Sequence, residues 1–423
     1  MAKEPVIIGL DIGSQTIKIL GVLRDNNSDL FRVRFFEEIP VFGFSRGRIK
    51  DDKLLTKRII ELFNKVEEKY DTQIQSVITN ISGSRLELLN NKASVSVSGA
   101  NGRVSELDKE RVFEDVKTIV LGNNKKVLKV FPKEWCLDGE KDISDPFGLQ
   151  GIRLELEASI LTCFSSDREL LEMVINNSGV AIEDIIPTPF ADATALLDDT
   201  QKELGAMVIN IGFGTTSMIV YEDGKIVDLA VFPVGSSHIT NDIAIGLQTE
   251  INIAEKIKLD YGLPESSNKK IEINLKTFLG GLDIEEEEEE QIKKSKKQKN
   301  NKDYLTFTEK NLKDIIAPRL TEIFGLIKER LKKSGKYEKL PAGIVLTGGG
   351  SKLKGLEDFA KKEFKLPCKI GCSAKFIGLE KKDPSYTTVC GLVLIDNEFE
   401  EDRVPSKNNI IEKIKGFFSN FTP

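Results

Sequence analysis

The stretch VINIGFGTTSMIVYEDGKIV, Val208 to Val227, reads as a strand, a glycine-rich turn and a second strand closed by Asp223-Gly224. Near the N-terminus IIGLDIGSQTIKILGVLRD repeats the shape. Leu10-Asp11-Ile12-Gly13 matches Ile209-Asn210-Ile211-Gly212, and a hydroxyl-bearing apolar strand follows each. A glycine turn between strands lets backbone N–H groups converge on an anion with no Cβ in the way, so each hairpin is a candidate phosphate nest. Two such turns facing each other from related domains would clamp the β- and γ-phosphates of one nucleotide. Asp11, at its strand end, would hold Mg²⁺ through water, because that ion gives up its hydration shell reluctantly. A third turn, Gly348-Gly349-Gly350, follows the apolar run AGIVLT and opens a helix, where its backbone would pack against the nucleoside and α-phosphate. One such hairpin is common in ordinary β-structure; three glycine turns in this order are not.

The composition narrows the chemistry. A chain of 423 residues, 40% hydrophobic, has material for two or more packed domains. Its net charge of −6 argues against a general affinity for nucleic acid. The five cysteines form no CxxC pair, and no apolar run marks the N-terminus, so reduced thiols in a cytoplasm are expected. No apolar stretch approaches the length of a transmembrane helix. With His238 the only histidine, a Cys-His pair with a second histidine to spare and a His-rich zinc site are both excluded. Carboxylates, amides, hydroxyls, lysines and backbone N–H groups remain, a set suited to handling phosphate. His238 itself reads as a polar turn residue ahead of the next helix.

Along the chain, Leu55, Ile59, Leu62, Phe63 and Val66 fall at helical spacing, and IQSVITNISG reads as a buried strand. From Ser84 to Cys163, short alternating strands surround one helix, ELDKERVFEDVKTIVLG, which reads as a small α+β insert. SSDRELLEMVINNSG then predicts a helix with Ser166 and Glu169 as a capping box and Gly179 as its stop. HITNDIAIGL and TEINIAEKIKLDYG predict two successive helices. LTFTEKNLKDIIAPRLTEIFGLIKERLKKSG predicts a longer helical region broken or kinked at Pro318. Residues 285–302, an acidic block and then a basic one, read as a solvated loop. The polar stretch NEFEEDRVPSKN reads as a linker. In the last fifteen residues Ile410, Ile411, Ile414, Phe417, Phe418 and Phe421 form a single helical face.

These motifs resemble the actin/Hsp70/sugar-kinase superfamily and, within it, the FtsA family of bacterial cell-division proteins. GLDIGSQTIKI looks like the family's first phosphate motif, NIGFGTTSMIVY its second and VLTGGGSKLKGL its adenosine motif. DPFGLQGIRLELEASILTC, GSSHITNDIAIGL, AEKIKLDYG and DPSYTTVCGLV are similar to FtsA in particular, and the likeness runs over nearly the whole chain. It implies a two-lobed actin-like α/β fold with an FtsA-type IC subdomain insert. The divisions it implies are subdomain IA at 1–83 and 164–205, the IC insert at 84–163, and IIA at 206–250. IIB follows at 251–336, then the rest of IIA and a return to IA at 337–396, a linker at 397–408 and a C-terminal amphipathic helix at 409–423.

The resemblance also assigns residues. Asp11, Gly13, Ser14, Gln15 and Lys18 would surround the phosphates from the first lobe, and Gly212, Gly214 and Thr215 from the second. Glu255 and Lys258 would face ribose and adenine, with Gly348, Gly349 and Gly350 over the nucleoside; spacing alone reads the Glu255/Lys258 pair as a surface ion pair. The family usually carries Asp where this chain has Asn210, so a full charge beside Mg²⁺ is lost and hydrolysis is a weaker expectation than ATP binding. Asp192, in PFADATALL, stands where actin-like folds place a residue near the attacking water. It is read either as compensation for Asn210 or as a helix N-terminal acid favoured by the dipole.

The functional expectation is an ATP-binding protein that polymerises and tethers filaments of the tubulin-like FtsZ to the membrane. The FtsZ C-terminal tail would meet Arg319 and Glu322, residues that otherwise read as a solvated helix face. The C-terminal helix would anchor the protein peripherally on the cytoplasmic side of the cytoplasmic or inner membrane, at the division septum. Two alternatives compete. A sugar kinase of this fold needs a catalytic carboxylate and a polar sugar pocket, which 84–163 does not offer. A PilM-like pilus adaptor shares the insert but lacks the terminal membrane helix.

Overall fold

The computed structural model describes residues 6–25, 30–118, 122, 124–264, 267–275, 278, 304–335, 340–379 and 382–402. The two hairpins seed two sheets built alike. In the first, Ile7–Ile12, Thr16–Arg24 and Phe31–Pro40 run antiparallel, and Ser76–Ile81 then Ala181–Pro187 add in parallel beyond Ile7–Ile12. In the second, Ala206–Ile211, Thr216–Glu222 and Lys225–Phe232 repeat the antiparallel run, with Gly343–Thr347 and Cys368–Ile370 in parallel. The central strands are near-continuous apolar runs because helices cover both faces of each sheet.

The likeness extends to register. Asp11 pairs with Lys18 and Asn210 with Ser217, at equivalent ladder positions. Both turns close with a glycine N–H donating to a threonine carbonyl, Gly13 to Thr16 at 3.0 Å and Gly212 to Thr215 at 2.8 Å.

Helix Asp52–Tyr70 covers the first sheet. The Asp51 side chain accepts from Leu54 N at its start, and Leu55, Ile59, Leu62, Phe63 and Val66 are its buried face. Burying each is worth about 1.5–3 kcal/mol. Two helices, Thr188–Leu196 and Thr387–Asp402, cross beneath the junction of the lobes. They touch so closely that a Cβ on Gly391 would lie 1.8 Å from the Ala191 carbonyl oxygen, so only glycine fits there.

The insert is a separate sheet ordered Glu87–Ser96, Arg153–Phe164, Lys125–Leu137 and Glu140–Ile143. Val112 and Val116 of helix Glu106–Lys117 pack on Leu154, Leu156 and Ala158 of that sheet. In the second lobe, helices Ser236–Gly246, Ile251–Tyr261 and Glu309–Lys333 gather over the sheet, beside the ribbon of Lys270–Asn274 and Tyr304–Thr308.

Four local readings are corrected. The segment LTFT is the ribbon strand, and the helix after it begins at Glu309 and runs unbroken through Pro318 to Lys333. One buried face of Leu312, Ile316, Leu320, Ile323, Phe324, Ile327 and Leu331 outweighs the hydrogen bond that proline removes. Ser166 and Glu169 make no capping box. The helix begins at Ser165 straight out of the preceding strand, Ser165 N donates to Asn124 O, and Glu169 pairs with Lys126. His238 lies inside the first turn of its helix, where Nδ1 accepts from Gly235 N at 3.1 Å. The polar stretch from Asn397 stays helical to Asp402, its glutamates being good helix formers.

Glu37 ties helix Asp52–Tyr70 to the first sheet. Its carboxylate lies 2.6 Å from Lys65 Nζ, is also paired with Lys69, and accepts from Tyr70 Oη at 2.9 Å. Burial raises this carboxyl, but the bonds from Lys65, Lys69 and Tyr70 prevail and hold it at about 2. A depressed pKa contributes stability that is complete above the unfolded carboxyl range and is lost as pH falls through the folded value. Glu37→Gln is therefore expected to cost about 1–2 kcal/mol near neutral pH. The gap to the parent should close between about pH 4.5 and pH 2, read by denaturant unfolding at several pH values.

Candidate functional site

The three glycine turns converge on one cavity of about 470 Å³ between the lobes. Asp11, Gly13, Ser14, Gln15, Lys18, Asn210, Gly212, Thr215, Glu255, Lys258 and Gly348 to Gly350 all line it. Gly214 is outside the lining but marks where the lobes touch: a Cβ there would lie 3.0 Å from the Ser14 side chain and 3.1 Å from Arg46 N. A larger, more open groove of about 1350 Å³ lies between the insert and the lobes around Phe131 and Lys225, and none of the glycine turns reaches it.

On the first-lobe side, Asp11 and Lys18 are both buried and their charged atoms are 3.7 Å apart. Asn80, at the end of its apolar strand, locks this corner. Its Oδ1 accepts from Ile12 N at 2.8 Å, and its Nδ2 donates to Asp11 Oδ1 at 2.8 Å and to Thr188 Oγ1 at 3.1 Å. Burial pushes the Asp11 carboxyl up, and Lys18 and Asn80 offset part of that rise. The sequence reading missed Asn80. The available signal was an amide inside an otherwise apolar buried strand, which needs partners for every polar atom.

On the second-lobe side, Lys258 is not the surface partner that spacing suggests. It is buried, 2.7 Å from Glu255 Oε2 and 2.9 Å from Thr240 Oγ1, and Thr240 also donates to Glu255. Burial lowers the Lys258 pKa and Glu255 counters it. At the rim, Asp383 accepts from Ser385 N at 2.8 Å and pairs with Lys352, bracing the third glycine turn.

Asp192 differs from its reading as a helix N-terminal acid favoured by the dipole. It is the fifth residue of helix Thr188–Leu196 rather than an exposed first-turn acid, and it is wholly buried. It stands behind Asn210 rather than on the cavity wall. Its Oδ2 accepts from Asn210 Nδ2 at 2.7 Å, and its Oδ1 accepts from Thr388 Oγ1 at 2.7 Å. Burial pushes this carboxyl up to about 7, the two donors pull it back, and the charge of Asp11 adds to the rise.

Arg319 and Glu322 lie on helix Glu309–Lys333, away from the cavity. Arg319 is committed to Asp242, through Nε at 2.7 Å and Nη2 at 2.9 Å, and to Glu322. Ile410, Ile411, Ile414, Phe417, Phe418 and Phe421, and the charged loop 285–302, lie outside the described residues.

Facing glycine turns can bind an anion chain with backbone N–H groups, and the acidic and amide oxygens beside them suit its counter-ion. The donor set fits a hydrated Mg²⁺. Asp11 offers one carboxylate and Asn210 one amide oxygen, and among the described residues no cluster of three ligating side chains would strip its water.

Solved structures of the same architecture identify the class. The PilM-PilN type IV pilus biogenesis complex contains a chain that covers 93% of this one and 99% of itself, at TM-score 0.62 and 16% identity. MreB5 of Spiroplasma citri bound to ADP covers 94% and 98%, at TM-score 0.53 and 14% identity. The protein thus has an actin-like two-lobed α/β fold with an inserted subdomain. A family model described as "Cell division protein FtsA" matches residues 207–391, and one described as "SHS2 domain inserted in FTSA" matches residues 83–162. The chain is 31% identical to the cell division protein FtsA of Borreliella burgdorferi, over 98% of each chain. It is 29% identical to that of Neisseria meningitidis, over 98% of this chain and 95% of the other. The chain belongs to the FtsA family.

Gly348 holds the third turn against the second hairpin. Its φ is +84°, and a Cβ there would lie 2.1 Å from Asn210 Oδ1 and 2.6 Å from Ile211 O. Gly348→Ala is expected to lose about 1–3 kcal/mol in equilibrium unfolding, since the backbone oxygen cannot step aside. Stability equal to the parent would show that the two turns are not in this contact.

Proposed function

We propose that this FtsA-family protein binds Mg-ATP in the interlobe cavity, polymerises, and tethers FtsZ filaments to the inner face of the cytoplasmic membrane at the division septum. The observation that carries the nucleotide half is the facing pair of equivalent turns, Gly13–Thr16 and Gly212–Thr215, with Gly214 against Ser14. Their N–H groups would hold the β- and γ-phosphates, with Lys18 beside them. Glu255 and Lys258 would take the ribose and adenine, and Gly348 to Gly350 the nucleoside. Asp11 would hold Mg²⁺ through water, and the bound ion would neutralise the phosphates. With Asn210 in place of a carboxylate at the cavity wall, the reading is ATP binding with slow or negligible hydrolysis.

Gly349 supplies a test that spares the fold. A Cβ there meets only Ser385 Cβ, at 3.9 Å, so a larger side chain would project into open cavity. Gly349→Leu is expected to weaken ATP binding at least about tenfold, roughly 1.4 kcal/mol, with an unchanged melting temperature. Unaltered ATP affinity would remove the nucleoside from this turn.

The membrane half rests on the apolar face from Ile410 to Phe421. Three phenylalanines suit insertion at the acyl boundary, and Lys407, Lys413 and Lys415 against Glu412 leave net positive charge for anionic lipid. One short helix binds reversibly, and polymerisation multiplies the anchors into firm attachment. The FtsZ tail is assigned to the outer face of helix Glu309–Lys333 at Arg319 and Glu322. Phe417→Glu/Phe418→Glu is expected to preserve ATP binding and abolish co-sedimentation with anionic liposomes. Co-sedimentation at the parental level would make the segment a docking element and end the anchor reading.

A further inference from the structure

Asp192, Asn210 and Thr388 bring three separate elements to one point. Asp192 comes from one crossing helix, Thr388 from the other, and Asn210 from the central strand of the second sheet. Asp192 Oδ2 accepts from Asn210 Nδ2 at 2.7 Å, so the edge of Asn210 that meets Asp192 is its NH₂. The opposite edge, Oδ1, then lies against Gly348, in the space a side chain at that position would fill. A free asparagine amide has no such preference and exposes donor or acceptor as its surroundings allow.

We propose that Asp192 is the positioning residue for the cation side of the cavity, turning Asn210 so that its carbonyl oxygen, not its NH₂, is presented to a bound hydrated cation. The proposal rests on the Mg-ATP reading above. The carboxylate that the cavity wall lacks at position 210 is set one layer deeper, where it polarises the amide in front of it. This arrangement gives the single substitution Asn210→Asp an unexpected sign. Rather than improving a metal site, it sets a half-buried carboxylate within hydrogen-bond distance of the buried Asp192.

Four proteins test this: the parent, Asp192→Asn, Asn210→Asp and the double exchange. Two readouts are taken on each full-length chain, the melting temperature without ligand and the Mg²⁺ concentration that gives half-maximal binding of ATP. Asn210→Asp is expected to melt several degrees below the parent. Asp192→Asn is expected to raise the Mg²⁺ requirement about tenfold, because an amide at 192 can donate as well as accept and no longer fixes which edge of Asn210 faces it. The double exchange should recover the parental melting temperature and bring the Mg²⁺ requirement to the parental value or below, because an ionised oxygen now stands at the wall. A double variant whose two readouts equal the sums of the single effects would overturn the proposal, since uncoupled sites add. So would an Asn210→Asp protein as stable as the parent. If the parent itself binds no ATP, the nucleotide reading fails, while the melting temperatures still decide whether Asp192 and Asn210 are paired.

Discussion

Everything in the cavity depends on two turns being bare enough to meet. Ser14 of one hairpin and Gly214 of the other approach so closely that one added carbon on Gly214 would stand 3.0 Å from the serine hydroxyl. A side chain at Gly214 would push against Ser14 and Arg46 of the other lobe, and the N–H groups of the two nests would no longer point at one object. The same economy recurs below, where Gly391 lets the crossing helices touch, and at Gly348, where the third turn closes on the second hairpin. The glycines thus set the distance between rigid bodies, and the rigid bodies are ordinary apolar strands and amphipathic helices.

That division explains what could be read in the sequence. Asp11-Ile12-Gly13 and Asn210-Ile211-Gly212 are local signals, and a hairpin with a glycine turn is fixed by a few consecutive residues. Both hairpins and the helix over Asp52–Tyr70 were therefore legible, and so was the convergence of Gly13, Gly212 and Gly349 on one site. Asn80 was not, because its role depends on partners 69 and 108 positions away in the chain. Asp192 was seen but misplaced. Sequence put it near the start of a helix, and only the crossing with Thr387–Asp402 shows that this turn is sealed from water and that Thr388 and Asn210 reach it. Pro318 is a third case, since local chemistry forecast a break and a seven-residue buried face overrode it.

The junction of the lobes also shows how buried charge is distributed. Asp11 is matched by Lys18, Glu255 by Lys258, and Asp192 by two neutral donors. The third arrangement leaves a carboxyl whose burial is only partly compensated. A buried acid of that kind persists where neighbouring groups are held in place by it, since removing it would leave the amide and the hydroxyl without their acceptor. The interlobe junction is therefore held by polar bonds at the Asp192 corner as well as by the apolar core that runs from Leu10 and Ile19 to Val208 and Ile219.

The helix Thr387–Asp402 begins at the cavity and is 16 residues long. Thr388 lies on the Asp192 corner, Gly391 is the contact with the other crossing helix, and the remaining turns lead away. Mechanically this is a lever with its fulcrum three residues from the cavity wall. From Gly391 to Asp402 the arm is about 16 Å long, so a tilt of roughly ten degrees carries its far end about 3 Å. A small rotation between the lobes would thus reach the helix end at Asp402 enlarged and with a defined direction.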